Sequence, residues 1–466
     1  MRATARLAAV GSTLALLVTA CGGVGGGGDT GPDSSGDDGG GSRGGSGGSG
    51  AAPSGTIDTM GFSLQDVIAS TRVDEVKKAY PAVRIRVAEG GFDEQQFLSA
   101  VASGEPPSLV YLSRSDLGTY AARGAILPLE DCIEKQSIDM GMYRDAAVDQ
   151  VTYEGQVYGI PEFYDVRIVL ADDDVLKRAG MTMEDIQTSD WQQLQRASEQ
   201  LAQVQDRSVQ RIGYDPKIPE FLPMWVAANG GQLVADDGTP RLNSPESVEA
   251  LEYTVGLLET TAPWSQFKAF RDTWDFFGGD NQFVKDQLGA FPVEQWYLDV
   301  LAEVSPDVSV TAQPFLGRDG QPVTYATGQA WAIPKGSEDT ADAACAFMKV
   351  MTAPDTWVAA AQASKQDREK TGGVYTGTYT ANEEADERIF SEVYEETGQQ
   401  SLDQATQVVL EVQDAAVIDP PSPAAAEVKK AWEDAVLRAL EGEQTPQEAL
   451  EEAQKEAEEA VAGATS

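Results

Sequence analysis

The sequence has 466 residues, and its 34 Lys and Arg residues stand against 75 Asp and Glu residues, so its formal net charge is −41. Binding to nucleic acid needs clustered cationic charge on the protein, and this balance argues against nucleic acid as a partner. The chain contains no His, which excludes Ser-His-Asp and Cys-His catalysis and every His-ligated metal site. We expect no cofactor and no metal, and the length allows two or three domains.

The first 21 residues have the pattern of a secretory signal. Arg2 and Arg6 precede an uncharged apolar run at residues 7–20, which is too short for a helix to cross a membrane. The run ends in the residues LVTAC, which resemble the lipobox of bacterial lipoproteins, whose Cys carries the lipid. We therefore predict a lipid anchor on Cys21. An ordinary signal that happens to contain a Cys is the alternative.

Residues 22–55 are rich in Gly and Ser. Such a composition cannot bury enough apolar surface to offset the entropy lost on folding. We predict that this stretch is a flexible tether between a lipid anchor and a folded body. No later segment is apolar enough to predict a span across the membrane.

The remaining sequence alternates helices and strands. Residues 83–87 alternate apolar and charged side chains as a strand does, and residues 108–112 are typical of a buried strand. A capping box of Ser63 and Asp66 predicts one helix start, and further capping residues predict starts at Asp93, near Asp190, at Ser244, at Ser337 and at Thr445. This order predicts an α/β fold with layers around mostly parallel sheets. Ligands of such sheets bind at the loops that follow the carboxyl ends of the strands.

Nine short stretches of this body carry a resemblance. Among the clearest are GAILPLE at residues 124–130, YGIP at residues 158–161 and NGG at residues 229–231. The full series lies at residues 80–87, 102–110, 124–130, 158–161, 229–231, 242–245, 283–296, 333–337 and 440–450. In this order the stretches resemble the extracellular solute-binding proteins of ABC importers, the family that contains the maltose-binding proteins.

The resemblance implies two α/β lobes joined by a hinge, with a ligand held in the cleft between them. By analogy, lobe I takes residues 56–164 and 318–336, and lobe II takes residues 165–317 and 337–466. The protein is then expected to be a monomer anchored by lipid on the extracellular face of the cell membrane. It would capture a carbohydrate, either a monosaccharide or an oligosaccharide, and deliver it to the permease subunits of an ABC transporter without acting as an enzyme.

A carbohydrate site needs aromatic rings for the C–H faces of a sugar and polar side chains for its hydroxyl groups. Ser115 and Asp116 could instead cap the following helix, and any single Trp could belong to the core. The positions that match the family's binding loops give the predicted ligand-binding residues, which are Arg114, Ser115, Asp116, Tyr164, Asp165, Trp225, Asn229, Trp296 and Trp331.

One departure from the family bears on the ligand. Lys429 and Lys430 stand where maltose-binding proteins have an aromatic pair, which makes maltose itself doubtful. A polyamine or a peptide is the alternative cargo, and for a polyamine the carboxylates of Asp116, Asp165 and Glu162 would matter more than the rings.

An enzyme is the competing class of protein. Ser265 with Lys268, and the run Lys370-Thr371-Gly372, match two short signatures of penicillin-recognising enzymes, but the third signature is missing and such matches arise by chance. A glycosidase needs only two carboxylates, and the sequence singles out no pair.

Two cysteines remain after Cys21. An extracellular protein can hold a disulfide between Cys132 and Cys345, but the analogy assigns these residues to different lobes, and such a bridge would block closure. We therefore predict two buried thiols.

Overall fold

The computed structural model describes residues 53–465, and two five-stranded sheets organise this part of the chain. The predicted signal, Cys21 and most of the predicted tether lie outside the described residues, and Gly55, the last residue of that tether, begins the first strand. The strands, in chain order, are β1 (Gly55–Met60), β2 (Val83–Val87), β3 (Leu109–Ser113), β4 (Thr152–Tyr153), β5 (Gln156–Val157), β6 (Ile160–Pro161), β7 (Arg167–Asp172), β8 (Gln203–Gln205), β9 (Ser208–Tyr214), β10 (Leu288–Glu294), β11 (Val310–Gln313), β12 (Thr324–Tyr325), β13 (Gln329–Ala332) and β14 (Ala416–Val417).

The first sheet has the order β2-β1-β3-β13-β6, and the second has the order β11-β7-β10-β9-β8. β1 pairs in parallel with β2 and β3, and β9 pairs in parallel with β10. The other pairings within these two sheets are antiparallel. The α/β class is confirmed, but the prediction of mostly parallel sheets is wrong. In the first sheet, the antiparallel pairs come from β13, which returns to β3 and β6 after the last strand of the second sheet, and no local sequence pattern reveals such a return.

Helices cover these sheets. In chain order they are α1 (Val67–Ala79), α2 (Glu94–Ser103), α3 (Leu117–Ala122), α4 (Glu130–Gln136), α5 (Asp145–Gln150), α6 (Asp173–Ala179), α7 (Trp191–Leu201), α8 (Leu222–Ala228), α9 (Pro245–Glu259), α10 (Trp264–Arg271), α11 (Tyr297–Val304), α12 (Ala341–Met351), α13 (Pro354–Thr371), α14 (Glu383–Arg388), α15 (Gln400–Val412), α16 (Ala425–Leu440) and α17 (Pro446–Ala464). Within the described range, no helix is both long enough and apolar enough to cross a membrane.

The predicted capping box at Ser63 is wrong, because the Ser63 hydroxyl donates to Glu89 instead. The predicted start at Ser337 is also wrong, since a 3-10 turn without a side-chain cap follows it and α12 begins only at Ala341. The starts at Asp93, Asp190, Ser244 and Thr445 are confirmed, and α1 starts at Asp66. At each one, a side-chain oxygen accepts a hydrogen bond from the backbone N–H three residues later, which satisfies a donor that the first helical turn leaves unpaired. The five capping residues are Asp66, Asp93, Asp190, Ser244 and Thr445.

The chain passes between the two sheets through three neighbouring stretches, which we call the crossing segments (residues 162–166, 324–328 and 416–419). β12 of the second segment pairs in parallel with β14 of the third. Asp165 of the first segment pairs with Thr327 of the second through backbone hydrogen bonds of 2.9 and 3.0 Å. We propose that these segments form the hinge that joins a lobe built on the first sheet to a lobe built on the second.

Cys132 of α4 and Cys345 of α12 form a disulfide, with their Cα atoms 5.5 Å apart. The prediction of two thiols is therefore wrong. It relied on an assignment of α12 to the second lobe, whereas α12 packs against α1 and α4 beside the first sheet. α13 also packs against α1, and we propose that both helices move with the first lobe.

Reduction of this disulfide is expected to lower the free energy of unfolding by about 2–4 kcal/mol, because the bond closes a long loop in the unfolded chain. The two cysteines are separated by 213 positions in the sequence. Thermal unfolding of the oxidised protein, the reduced protein and Cys132→Ala/Cys345→Ala measures the effect. Equal midpoints for oxidised and reduced protein, with complete alkylation of both thiols after reduction, would contradict it.

Candidate functional site

Two buried arginines fasten the crossing segments together. Arg114 follows β3, and its guanidinium donates to the carbonyl oxygens of Thr327 (2.7 Å) and Phe163 and to the side-chain oxygen of Gln150 (2.9 Å). Its side chain is fully buried. Burial lowers the pKa of Arg114 to about 10, although the attraction of Asp165 opposes that shift. Arg114 therefore holds the hinge, and its predicted role as a ligand contact is corrected.

Arg167 fastens the same segments from the side of β7. Its Nη1 donates to the carbonyl oxygens of Asp165 (3.1 Å) and Tyr325 and to the hydroxyl of Thr327. Gly328 lies between the two arginines with φ +149°, and a Cβ at this position would lie 2.2 Å from the carbonyl oxygen of Phe163. Only glycine permits the segments to approach this closely.

Asp165 is held by the loop that ends β10. The amide of Gln295 donates from Nε2 to the Asp165 carboxylate and to the carbonyl oxygen of Tyr164, both at 3.1 Å, while its Oε1 accepts from Val166 N–H at 2.7 Å. Burial raises the pKa of the Asp165 carboxyl, and Arg167 and Arg114 oppose the shift. Asp165 is only half-buried, so its carboxylate is a fixed acceptor at the junction of the lobes.

Ser115 and Asp116 lie half-buried in a 3-10 turn, residues Arg114–Asp116, between β3 and α3. Neither side chain caps a helix, so the capping alternative does not hold. The hydroxyl of Ser115 lies 2.8 Å from that of Ser113 and 3.4 Å from Asp116 Oδ1. Burial raises the pKa of Asp116, and the nearby ammonium of Lys429 on α16 opposes this shift. These polar groups remain candidates for ligand contact.

Trp296 directly follows Gln295 and is half-buried. Its ring stacks on that of Phe277, with the centroids 5.9 Å apart and the planes at 11°. The edge-on neighbours of Trp296 are Phe276 at 6.3 Å and Tyr297 at 6.1 Å. The predicted position of Trp296 thus brings an accessible aromatic surface next to the residue that holds Asp165.

Three other predicted ligand residues have structural roles. Trp225 and Trp331 are fully buried, and their Nε1 atoms donate to Pro216 O (2.9 Å) and Glu162 Oε1 (2.8 Å). Neither ring has a free face, so both assignments are corrected to the core. The family position gave the right helix and strand for them but not the direction of the side chain.

Tyr164 is 1 % exposed, and its hydroxyl donates to Gln413 O at 3.3 Å. Burial raises its pKa to about 12. Asn229 ends α8, and its amide bonds to Glu246 O, Glu249 and Arg318 at 3.0–3.1 Å. The burial of Tyr164 corrects its assignment as a ligand contact. Asn229 is half-buried, and its ligand contact stays a prediction.

The site also contains residues that the sequence did not single out. Lys217, after β9, pairs with Glu220 at 3.0 Å, and its Nζ lies 5.5 Å from the centroid of the Phe276 ring. Lys429 pairs with Glu433 at 4.0 Å. The full set that we assign to the candidate site is Ser115, Asp116, Asp165, Lys217, Glu220, Phe277, Gln295, Trp296 and Lys429. In the described part of the chain, no group of three or more Cys, Asp or Glu residues is arranged to hold a metal ion.

A two-lobed α/β molecule with a hinge and a polar, aromatic interlobe site is the architecture of a binding protein that closes on a small solute. Residues 71–368 match the bacterial extracellular solute-binding protein family, and the chain belongs to that family.

Named proteins that resemble this chain in sequence or in structure are consistent with its membership of the family. An arabinooligosaccharide-binding protein of Bacillus subtilis is 20 % identical over 57 % of this chain, an alignment that spans 62 % of the relative and thus less than two thirds of its length. CpMnBP1, solved with mannotriose bound, superposes with a TM-score of 0.69 at 22 % identity, covering 86 % of this chain and 99 % of its own. An ABC substrate-binding protein from Listeria monocytogenes, in complex with cycloalternan, gives 0.68 at 19 % identity over 87 % and 99 % of the two chains. These structures share the fold.

Proposed function

We propose that this protein captures a carbohydrate in the cleft between its lobes. The observation that carries the proposal is the accessible aromatic surface of Trp296 and Phe277, because Trp296 directly follows Gln295, the residue that holds the Asp165 carboxylate. Rings take the C–H faces of a sugar, and carboxylates accept hydrogen bonds from its hydroxyl groups. The sugar ligands named for the relatives support the same class of ligand.

The mechanism we propose is closure of the lobes about the crossing segments. Lys217 and Trp296 belong to the side of the second sheet, whereas Ser115 and Asp116 follow β3 of the first sheet, and Asp165 lies at the junction between them. A sugar that contacts both groups stabilises the closed form over the open one by the additional contacts. The carboxylates are placed for binding, and we propose that the protein turns over no substrate.

A thermal-shift screen of the full chain tests the ligand class. The panel contains mannose, mannotriose, maltotriose, arabinotriose, spermidine and a mixture of short peptides. A sugar present at 100 times its Kd should stabilise the folded protein by about 2.7 kcal/mol. Stabilisation by spermidine or peptides alone would overturn the carbohydrate proposal, and release of shorter sugars during incubation would overturn the non-enzymatic one.

Polyamine binding is the weaker alternative. Of the three carboxylates expected to serve it, Glu162 is fully buried and ion-paired with Arg72, so it is not accessible to a ligand. Of these three residues, only Asp116 and Asp165 remain accessible to a polyamine. Their carboxylates can equally accept hydrogen bonds from the hydroxyl groups of a sugar.

We further propose that Cys21 carries a lipid anchor and that the protein, as a monomer, passes its ligand to the permease subunits of an ABC transporter. The sequence before Cys21 supports the anchor, and membership of the family supports the transporter. Expression of the full chain and Cys21→Ala in a bacterial host tests the anchor. We expect the full chain to be found in the membrane fraction and Cys21→Ala to be found outside it. Equal partition would contradict lipidation at Cys21.

Acidification is expected to weaken sugar binding at a higher pH than ordinary Asp residues would cause. Burial raises the pKa values of Asp116 and Asp165 above 3.8, and the ionised carboxylates are the acceptors for hydroxyl groups. Affinity should therefore be constant at neutral pH and fall as the pH decreases through the raised values. Calorimetric titrations of the preferred sugar between pH 4 and 8 measure this. Asp116→Asn should bind less tightly at pH 7 and show a flatter profile, and an unchanged profile would contradict the role of Asp116.

A further inference from the structure

Phe277 is the most exposed large apolar side chain in the described part of the protein, at 66 %. Leaving a phenyl ring in water forgoes the favourable free energy of burying it. Isolated exposed apolar residues are common, but this one stacks on the ring that we assign to the ligand.

The loop before β10 holds Phe277 outwards. Phe276 is its anchor, stacking on Tyr297 with the centroids 4.3 Å apart and accepting a hydrogen bond from the Tyr297 hydroxyl at 2.9 Å. Gly278 N–H donates to Asp275 O at 2.9 Å, which closes a turn around the two Phe residues. The packing of Phe276 on Tyr297 within this turn leaves the ring of Phe277 on the outside.

The rings of Phe277 and Trp296 form an offset stack, as the 11° between their planes and the 5.9 Å between their centroids indicate. An offset stack leaves part of each face uncovered. Phe276 meets both rings edge-on, at 78° to Phe277 and 70° to Trp296, and so supports the pair from the side. The result is a stepped aromatic surface that is longer than a single sugar ring.

We propose that Phe277 is a second stacking residue and that the ligand is an oligosaccharide, with one sugar ring on Trp296 and the next on Phe277. This inference rests on the proposed carbohydrate function. It adds that the site selects chains of at least two sugar rings over monosaccharides.

Calorimetric titration of the full chain and Phe277→Ala tests this with mannotriose, maltotriose and arabinotriose, each beside its monosaccharide. We expect the wild-type protein to prefer the trisaccharide. Phe277→Ala should weaken trisaccharide binding about tenfold and monosaccharide binding by a smaller factor, whereas Phe277→Trp should keep the trisaccharide affinity of the wild-type protein. Because Phe277 is exposed, Phe277→Ala should unfold at the wild-type temperature. Val204→Ala removes another exposed apolar side chain, 47 % exposed on β8, and should leave all affinities unchanged.

Three results would overturn the inference while leaving carbohydrate binding intact. They are equal wild-type affinity for monosaccharide and trisaccharide, unchanged trisaccharide binding by Phe277→Ala, and an equal loss for both sugars. The last would mean that Phe277 acts only by supporting Trp296. If the wild-type protein binds no sugar of the panel, the proposed function fails and this inference fails with it.

Discussion

Arg114→Met is expected to lower the free energy of unfolding by about 3–5 kcal/mol, because it leaves buried carbonyl oxygens of two crossing segments and the Gln150 side chain without their donor. Met has a similar length and fills most of the volume, so the loss measures the hydrogen bonds rather than a cavity. Chemical denaturation of the two proteins at pH 7 gives the difference.

Arg123→Met is the matched control. Arg123 is 35 % exposed and pairs with Glu94 and Glu427 on the surface, and exposed pairs of this kind contribute about 0–1 kcal/mol. A loss for Arg114→Met no larger than that of the control would mean that Arg114 does not fasten the hinge.

Trp296→Ala is expected to weaken sugar binding by about 1–3 kcal/mol, which corresponds to about 5–150-fold in Kd, because it removes the ring that a sugar face contacts. Since the side chain is only half-buried, the unfolding temperature should fall little. Calorimetry with the preferred sugar of the panel, together with thermal unfolding, measures the two effects separately.

Trp225→Ala supplies the contrast, because the ring is fully buried and packs edge-on against Phe315 with the centroids 4.8 Å apart. It should cost about 3–5 kcal/mol of folding free energy through the cavity that it leaves. If Trp296→Ala destabilises the fold as much as Trp225→Ala does, Trp296 is a core residue and not a binding residue.

Local chemistry explains which parts of the fold could be predicted from the sequence. Capping by Asp93 or Thr445 depends on residues three positions apart, and it is confirmed at both. The antiparallel return of β13 beside β3 depends on residues more than 200 positions apart, and only the resemblance to a family carried information about such pairs. The disulfide was missed for the same reason, since the packing of α12 on α4 is also a long-range fact.

The candidate site was only partly predictable. A resemblance gives the loop but not the direction of each side chain, so Trp296 remains in the site while Trp225 and Trp331 belong to the core. Arg114 was predicted as a ligand contact because its loop matches a binding loop of the family, whereas here backbone carbonyl groups surround its guanidinium. The sequence offers one indication that Gln295 belongs to the site, which is its position directly before the predicted ligand residue Trp296.

Phe277 had a weaker signal that could have been used. Two consecutive Phe residues followed by two Gly residues predict a turn that can bury at most one of the rings. No sequence pattern shows that the other ring stacks on Trp296.

The bond between Cys132 and Cys345 joins α4 to α12, and both helices pack beside the first sheet. In the described part of the chain, disulfide bonding is thereby confined to one half of the molecule, and the junction between the halves is held by hydrogen bonds, arginine–aromatic contacts and apolar packing. The disulfide therefore stabilises the folded protein against heat without tying together the two lobes whose movement we propose.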